Sequence, residues 1–332
     1  MPMDKQFVVS SSPHGGIAED TRSLMLDVII ALTPALILAV FFFGPRALAL
    51  TLVSVASCIA FEFLYRKLMK KSVSIGDLSA VVTGMLLAFN VPASAPYWIV
   101  VVGAGFAIII VKQLYGGLGK NFMNPALAAR VFLLSWPGIM TTWPKVFEML
   151  PLTGSTADVV TAATPLASIK AGTLPDLTVM ELMLGQHGGC LGETSALVLL
   201  LGGLYLVLRR VISPRIPLCY IGTVALLTFI FPRGGVSNLN WMLYNVFSGG
   251  LILGAVFMAT DYATSPVTKG GQIAFGIGCG LLTVFIRYFG AYPEGVTFSI
   301  LIMNACVWIL DKAFRPRRYG AVSLKKAGAK DE

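Results

Sequence analysis

The chain has 332 residues, 56% of them hydrophobic and only 12% charged, with a formal net charge of +9. Mean hydropathy is +0.79, whereas a soluble domain carries about 25% charged residues. Apolar windows recur from Leu24 almost to Asp311, which excludes a soluble domain with one anchor and makes the lipid bilayer the first partner.

The basic balance does not point to nucleic acid, because Lys and Arg gather at the cytoplasmic ends of membrane helices. Five cysteines without a CxxC pair and only two histidines offer no set of ligands for zinc or an iron–sulfur cluster, so no metal site is expected. The first 20 or so residues are polar, and the apolar segment after them continues at spanning length, so no cleaved signal peptide is expected.

A span needs roughly 20 apolar residues. Ten intervals meet or approach that: 24–43, 46–65, 77–91, 97–112, 124–136, 193–208, 216–231, 245–260, 271–287 and 296–311. Several are short: fifteen residues rise about 22 Å against a hydrocarbon core of about 30 Å. Short spans edged by Gly and Pro predict discontinuous helices whose open backbone lines a cavity or is covered by protein.

With the N-terminus in the cytoplasm, nineteen Lys and Arg fall on inner segments and five on outer ones, while Arg130 lies within a span. This predicts both termini inside. The chain then divides into a cytoplasmic segment 1–23, a five-helix half 24–136, a non-cytoplasmic loop 137–192, a second half 193–311 and a basic cytoplasmic tail 312–332. Five spans on each side of the loop give halves of opposite orientation, as inverted repeats require, although the halves share no evident sequence similarity.

Candidate site residues appear in chain order. Asp27 and Glu62 lie near the ends of the first two spans, where a carboxylate reaches the interface; Asp27 lies deeper and is the better candidate for an ion pathway. The stretch YGGLGKNFMNPALAAR runs from Tyr115 to Arg130. Its Asn124-Pro125 pair is a helix start. Arg130, a turn and a half into that helix, needs a partner, a cavity or a ligand, since a charge there costs about 2.5–3.5 kcal/mol.

The small, hydroxyl-bearing stretch DVVTAATPLAS, Asp158 to Ser168, reads as loop, with Thr164 held extended by the following proline. In GGCLGETSALVLLLGG, Glu193 and Thr194 are placed to cap a helix or to touch a ligand. In ATDYATSPVTKGG, Asp261, Thr264, Ser265 and Thr268 form an oxygen-rich polar turn that could also meet a cofactor or an ion.

These motifs in this order, with SSPHGG at Ser11–Gly16, resemble the RnfD family, the D subunits of the Rnf electron-transport complexes. That family is homologous to NqrB, the B subunit of the sodium-translocating NADH:quinone reductase. The similarity covers essentially the whole chain. It implies an all-α polytopic membrane protein of ten helices, with two inverted five-helix halves and a urea-transporter-like layout, in the bacterial cytoplasmic (inner) membrane.

In that family the threonine ending a D-x-x-[S/T]-G-A-T motif carries FMN through a phosphoester bond, made by a flavin transferase outside the cytoplasm. Carried over, Thr164 is the attachment point, and Asp158, Thr161, Ala162 and Ala163 are transferase recognition elements. Two positions depart from the pattern: Ala162 stands where glycine is usual, and Met123 where phenylalanine is usual. The resemblance also allows a second flavin, a non-covalent riboflavin, or an ion among the helices, with Asn121, Asn124, Arg130, Glu193, Thr194, Asp261, Ser265 and Asp27 as candidates.

The implied activity is that of an electron carrier with no catalytic residues of its own. Electrons pass from ferredoxin to NAD, coupled to Na⁺ or H⁺ movement, in an obligate complex with the other Rnf subunits (A, B, C, E and G). Two other readings remain open on residues alone. A stand-alone small-solute channel or secondary transporter fits the broken helices but has no reason to carry DVVTAAT. A scaffold that merely holds other flavin subunits would not need Thr164.

Overall fold

The computed structural model describes residues 20–72, 74–147, 149–152, 164–193 and 195–315. Among these the chain is helical, and the only strand-like feature is an isolated antiparallel bridge between Pro92 and Cys190.

Helix α1 (Thr21–Phe43) turns into α2 (Pro45–Leu68) at Gly44, whose φ of +79° suits glycine, and Pro45 opens α2. Then come α3 (Ser79–Phe89) and α4 (Tyr97–Gly105), which continues as π-helix over Phe106–Gln113. Next are α5 (Pro125–Leu133) and three short helices: α6 (Pro137–Met140), α7 (Pro165–Lys170) and α8 (Val179–Leu184). After them follow α9 (Ala196–Leu208), α10 (Arg215–Ile230) and α11 (Asn238–Phe247). The chain closes with α12 (Leu251–Leu253), running on as π-helix over Gly254–Met258, then α13 (Lys269–Phe289) and α14 (Val296–Ala313).

Four helices, α1, α2, α13 and α14, are long and apolar enough to cross a bilayer; α11 with Leu251–Met258 makes a fifth, bent by 64°. The chain is therefore a multi-pass membrane protein. Each of the ten predicted intervals contains helix, but not at uniform length. α5, with nine residues, rises only about 13 Å, and the eighth interval, predicted from residue 245, begins at Asn238 and breaks after Phe247. The break is local: Gly249 adopts φ +71°, which ends α11, and Gly250 restarts the helix.

Ile37, Phe41, Leu218, Leu226, Phe285 and Trp308 are exposed on the long helices, a surface suited to lipid. Inside, small residues bring backbones together. α10 packs along α13: a Cβ built on Gly280 would lie 2.6 Å from the Thr223 Cβ and 3.1 Å from the Tyr220 carbonyl oxygen. One helical turn further along α13, Thr283 joins a buried hydroxyl cluster with Tyr220 (2.6 Å) and Ser299 (2.7 Å), tying α10, α13 and α14 together. Overpacking such a seam costs about 1–3 kcal/mol. Gly280→Leu should lower the thermal midpoint in detergent, whereas Gly222→Ala, which has open space around it, should leave it unchanged or raise it.

The segment between α7 and α9 has its own anchors. Trp241, Tyr244, Leu166, Ile169 and Leu182 form a separate apolar cluster that docks α7 and α8 on α11. α8 begins with a capping box, Thr178 and Glu181 bonding each other's backbone amides. The Thr178 amide and hydroxyl hold the Glu181 carboxyl below its usual range. A depressed carboxyl stabilises above its unfolded value, so the cap is complete at neutral pH and is lost as the pH falls through the lowered value. Thr178→Ala should cost about 1 kcal/mol, read as faster amide exchange across Val179–Leu184.

Candidate functional site

Thr164 caps α7: its φ of −75° and ψ of 147° are extended, as the following proline requires, and its hydroxyl accepts from the Ala167 amide at 3.3 Å. Thr164 lines a cavity of about 90 Å³. Trp143, Tyr292 and Phe298 supply aromatic walls, the last two stacked with centroids 6.0 Å apart. The charged wall is Arg130, Glu193 and Glu294.

Arg130 lies in the second turn of a helix started by Asn124, whose side-chain oxygen accepts from the Ala126 and Leu127 amides at 3.0 and 3.3 Å. Its guanidinium forks onto Glu294, Nη1 donating to Oε1 at 3.2 Å and Nη2 donating to Oε2. Nη1 also donates to the Asn90 side-chain oxygen at 2.8 Å, and Nη2 lies 3.4 Å from the Cys190 sulfur. Glu193 Oε1 stands 3.9 Å from Nη2. Two buried carboxylates thus share one guanidinium.

The broken helix completes the cradle. A Cβ on Gly250 would lie 2.6 Å from Glu294 Oε1 and 3.8 Å from Glu193 Oε1. The start of the Leu251–Met258 segment therefore lies beside both carboxylates. The terminated end of α11 holds a cation. Arg287 donates to the Asn245 and Ser248 carbonyls at 2.5 and 3.2 Å, satisfying acceptors that the break leaves without intrahelical partners.

A second cavity, also of about 90 Å³, opens near the other end of α5. Asn121, Asn124 and Asp261 line it with Lys112, Thr83 and Thr260. Asn124 Nδ2 donates to the Met258 carbonyl at 3.3 Å. With its side-chain amide assigned in the orientation that satisfies both its atoms, Asn304 from α14 donates to the Thr264 carbonyl (3.0 Å) and accepts from the Asn124 backbone amide (3.2 Å). Lys112 reaches in from the first π-helical stretch, a form often found at functional positions. It donates to Glu62 Oε2 at 2.8 Å and to the Ser79 hydroxyl at 2.6 Å. Glu62 is fully buried and also accepts from Gln113 (3.0 Å) and Ser74 (2.9 Å).

The candidates for a single second site therefore separate. Arg130 and Glu193 face the cavity of Thr164; Asn121, Asn124 and Asp261 face the other, some 9 Å along α5 counted from Asn124 to Arg130. Glu193 does not cap α9, because Ser195 does so, its hydroxyl accepting from the Val198 amide at 3.4 Å. Ser265 lines neither cavity; its amide bonds the Asp261 carbonyl at 3.1 Å in a tight turn. Asp27 joins α1 to α9, accepting from Tyr205 at 2.8 Å and from Arg209 at 3.3 Å. Glu62 does not reach an interface but lies inside the protein. Asp158, Thr161, Ala162, Ala163 and Thr194 lie outside the described residues.

Sequence reasoning missed Glu294, Lys112 and Asn90. Lys112 carries a signal, being a charge at the end of an apolar span, but the charge count alone places it on an inner segment. Glu294 sits in a Tyr-Pro-Glu-Gly turn, where a carboxylate looks solvated.

Residues 8–320 match the NQR2, RnfD, RnfE family. The chain is 51% identical to the D subunit of the Na⁺-translocating ferredoxin:NAD⁺ oxidoreductase complex of Acetobacterium woodii, over 96% of this chain and 97% of that protein. It is 41% identical to the D subunit of the proton-translocating ferredoxin:NAD⁺ oxidoreductase complex of Clostridium ljungdahlii, over 95% and 96%. To the D subunit of the ion-translocating oxidoreductase complex of Stutzerimonas stutzeri it is also 41% identical, over 92% and 93%. With a match across nearly the whole length and this level of identity, the chain belongs to the NQR2, RnfD, RnfE family.

Proposed function

We propose that this chain is the D subunit of an ion-translocating ferredoxin:NAD⁺ oxidoreductase complex and carries FMN covalently on Thr164. Full-length likeness to relatives bearing that description supports the first part. The observation that carries the second is the position of Thr164 on the wall of an aromatic, charge-lined cavity.

The groups lining this cavity suit a flavin in their chemistry. The Thr164 hydroxyl is the atom to be esterified, Trp143, Tyr292 and Phe298 offer faces for a planar ring, and Arg130 offers positive charge to an electron-rich one. When bound, the flavin supplies one- and two-electron transfer. The chain's own residues hold it in place, exclude bulk water and set the charge around it.

A second flavin, a riboflavin without covalent attachment, is proposed for the cavity lined by Asn121, Asn124 and Asp261, where amide and carboxyl groups can meet ring heteroatoms. Ten crossings in two inverted five-helix halves, both termini in the cytoplasm and Thr164 on the opposite face of the inner membrane complete the proposal. The other Rnf subunits (A, B, C, E and G) are the proposed partners, and a flavin transferase is the proposed modifying enzyme. The coupling ion is Na⁺ in the name of one relative and H⁺ in another.

The test is peptide mass spectrometry on the chain co-expressed with a flavin transferase. FMN less one water on the peptide containing Thr164 is expected. An unmodified peptide, from a transferase active on another substrate, would overturn the attachment to Thr164 and leave the family membership standing.

A further inference from the structure

Arg130 from α5, Glu193 from the turn ahead of α9 and Glu294 from the turn ahead of α14 converge on the Thr164 cavity. The two carboxylates are not equivalent. Glu294 takes both terminal nitrogens of Arg130 as a fork, the strongest arrangement available to such a pair. Glu193 is left 3.9 Å from Nη2, beyond hydrogen-bonding distance. Glu294 is the hydrogen-bonded counter-ion of Arg130, and Glu193 is a second, largely enclosed carboxylate that shares the same cation at 3.9 Å.

The other groups facing Glu193 are few. Cys190, on its own turn, faces it with both backbone amide and thiol, the thiol hydrogen going to the Asn90 carbonyl at 3.5 Å. Arg287 of α13 acts on both carboxylates electrostatically but spends its hydrogen bonds on the carbonyls of α11. Glu193 and Glu294 keep only 7% and 14% of their side-chain surface. Another negative charge in so enclosed a place is costly unless something compensates it.

We propose that Glu193 is a proton acceptor coupled to the flavin in this cavity, an inference that rests on the reading of Thr164 as the attachment point. One electron from a reductant adds one negative charge to the flavin. One proton from water converts the Glu193 carboxylate to the acid and cancels that charge, and no bond between Glu193 and the flavin forms or breaks. Reoxidation releases both the electron and the proton. Protonating Glu294 instead would dismantle the fork on Arg130, so the proton goes to the carboxylate with less to lose. Glu193 is thus a charge-positioning residue for the flavin.

The test uses the complete complex with its flavins in place. The flavin on Thr164 is titrated with dithionite at a series of pH values, with a Thr164→Ala complex as the spectral blank. In the wild type the midpoint potential falls as the pH rises. In Glu193→Gln that dependence is flattened, while flavin fluorescence on the denatured band is unchanged. A Glu193→Gln complex with a fluorescent band and the wild-type dependence overturns the proposal while leaving the attachment intact. A dark wild-type band overturns both.

If Glu193→Gln fails to assemble, reduced-minus-oxidised infrared spectra of the wild type decide the matter. A protonated-carboxyl band gained on reduction, and displaced in Glu193→Asp, supports the proposal; its absence in the wild type overturns it.

Discussion

Thr164→Ala should run as a dark band on a denaturing gel where the wild-type chain fluoresces, with loss to background rather than a partial fall. Attachment needs a hydroxyl, and alanine has none. The expected structural cost is small: replacing an N-cap threonine by alanine costs about 0.5–2 kcal/mol. That cost falls on α7, a helix of six residues anchored by Leu166 and Ile169 in the apolar cluster around Trp241. The complex should therefore still assemble, and ferredoxin-dependent NAD⁺ reduction should fail for want of a carrier.

Thr164→Ser, which keeps both hydroxyl and cap, should restore assembly and part of the fluorescence. Full activity in the Thr164→Ala complex would favour a scaffold over an electron carrier. Ala162→Gly should raise the attached fraction if the extra methyl group hinders the transferase.

Arg130→Gln should be strongly destabilising. It strips the fork from Glu294 and removes the donor shared with Asn90 and Cys190. Breaking a buried ion pair from one side costs about 3–5 kcal/mol, because the remaining charge stays buried without compensation. A large fall in membrane yield and in the detergent melting midpoint is expected. Adding Glu294→Gln should recover part of that loss, since the double variant removes one of the two carboxylates that Arg130 neutralised and leaves Glu193; a double-mutant cycle measures the coupling. If the double variant is as damaged as the sum of the singles, the two side chains are not one unit.

Local rules made some of this legible in the sequence. Asn124-Pro125 reads as a helix start because cap and proline act within four residues of backbone, and the structure has α5 beginning there. Thr164 reads as extended because of its proline neighbour, and it is. Arg130 reads as a charge in search of a partner because burial of an unpaired cation costs too much to be accidental. The partner itself was not legible. Glu294 is 164 residues away, and nothing in its own turn distinguishes it from a solvated carboxylate.

Glu62 and Lys112 show the same limit. Each reads as an interfacial charge near the end of a span, yet together they form a buried pair 50 residues apart in sequence. Helix geometry alone does not say which faces of α2 and the π-helical stretch meet. Glu193 reads as a cap because a carboxylate just before an apolar run satisfies free amides; Ser195, two residues later, does that work and frees Glu193 for the cavity.

Membrane residence, the start of α5 and the family resemblance were all readable from the chain before folding. Those properties depend on composition, on neighbours within a few residues and on motifs taken in order. Folding added what no segment holds: the candidate residues line two cavities and not one, Glu294, Lys112 and Asn90 belong to the networks around them, and Glu193 is left outside the hydrogen-bonded fork on Arg130. Pairing between distant charges is set by how helices pack. The packing of small residues such as Gly280 against a neighbouring backbone is a property of two helices that neither carries alone.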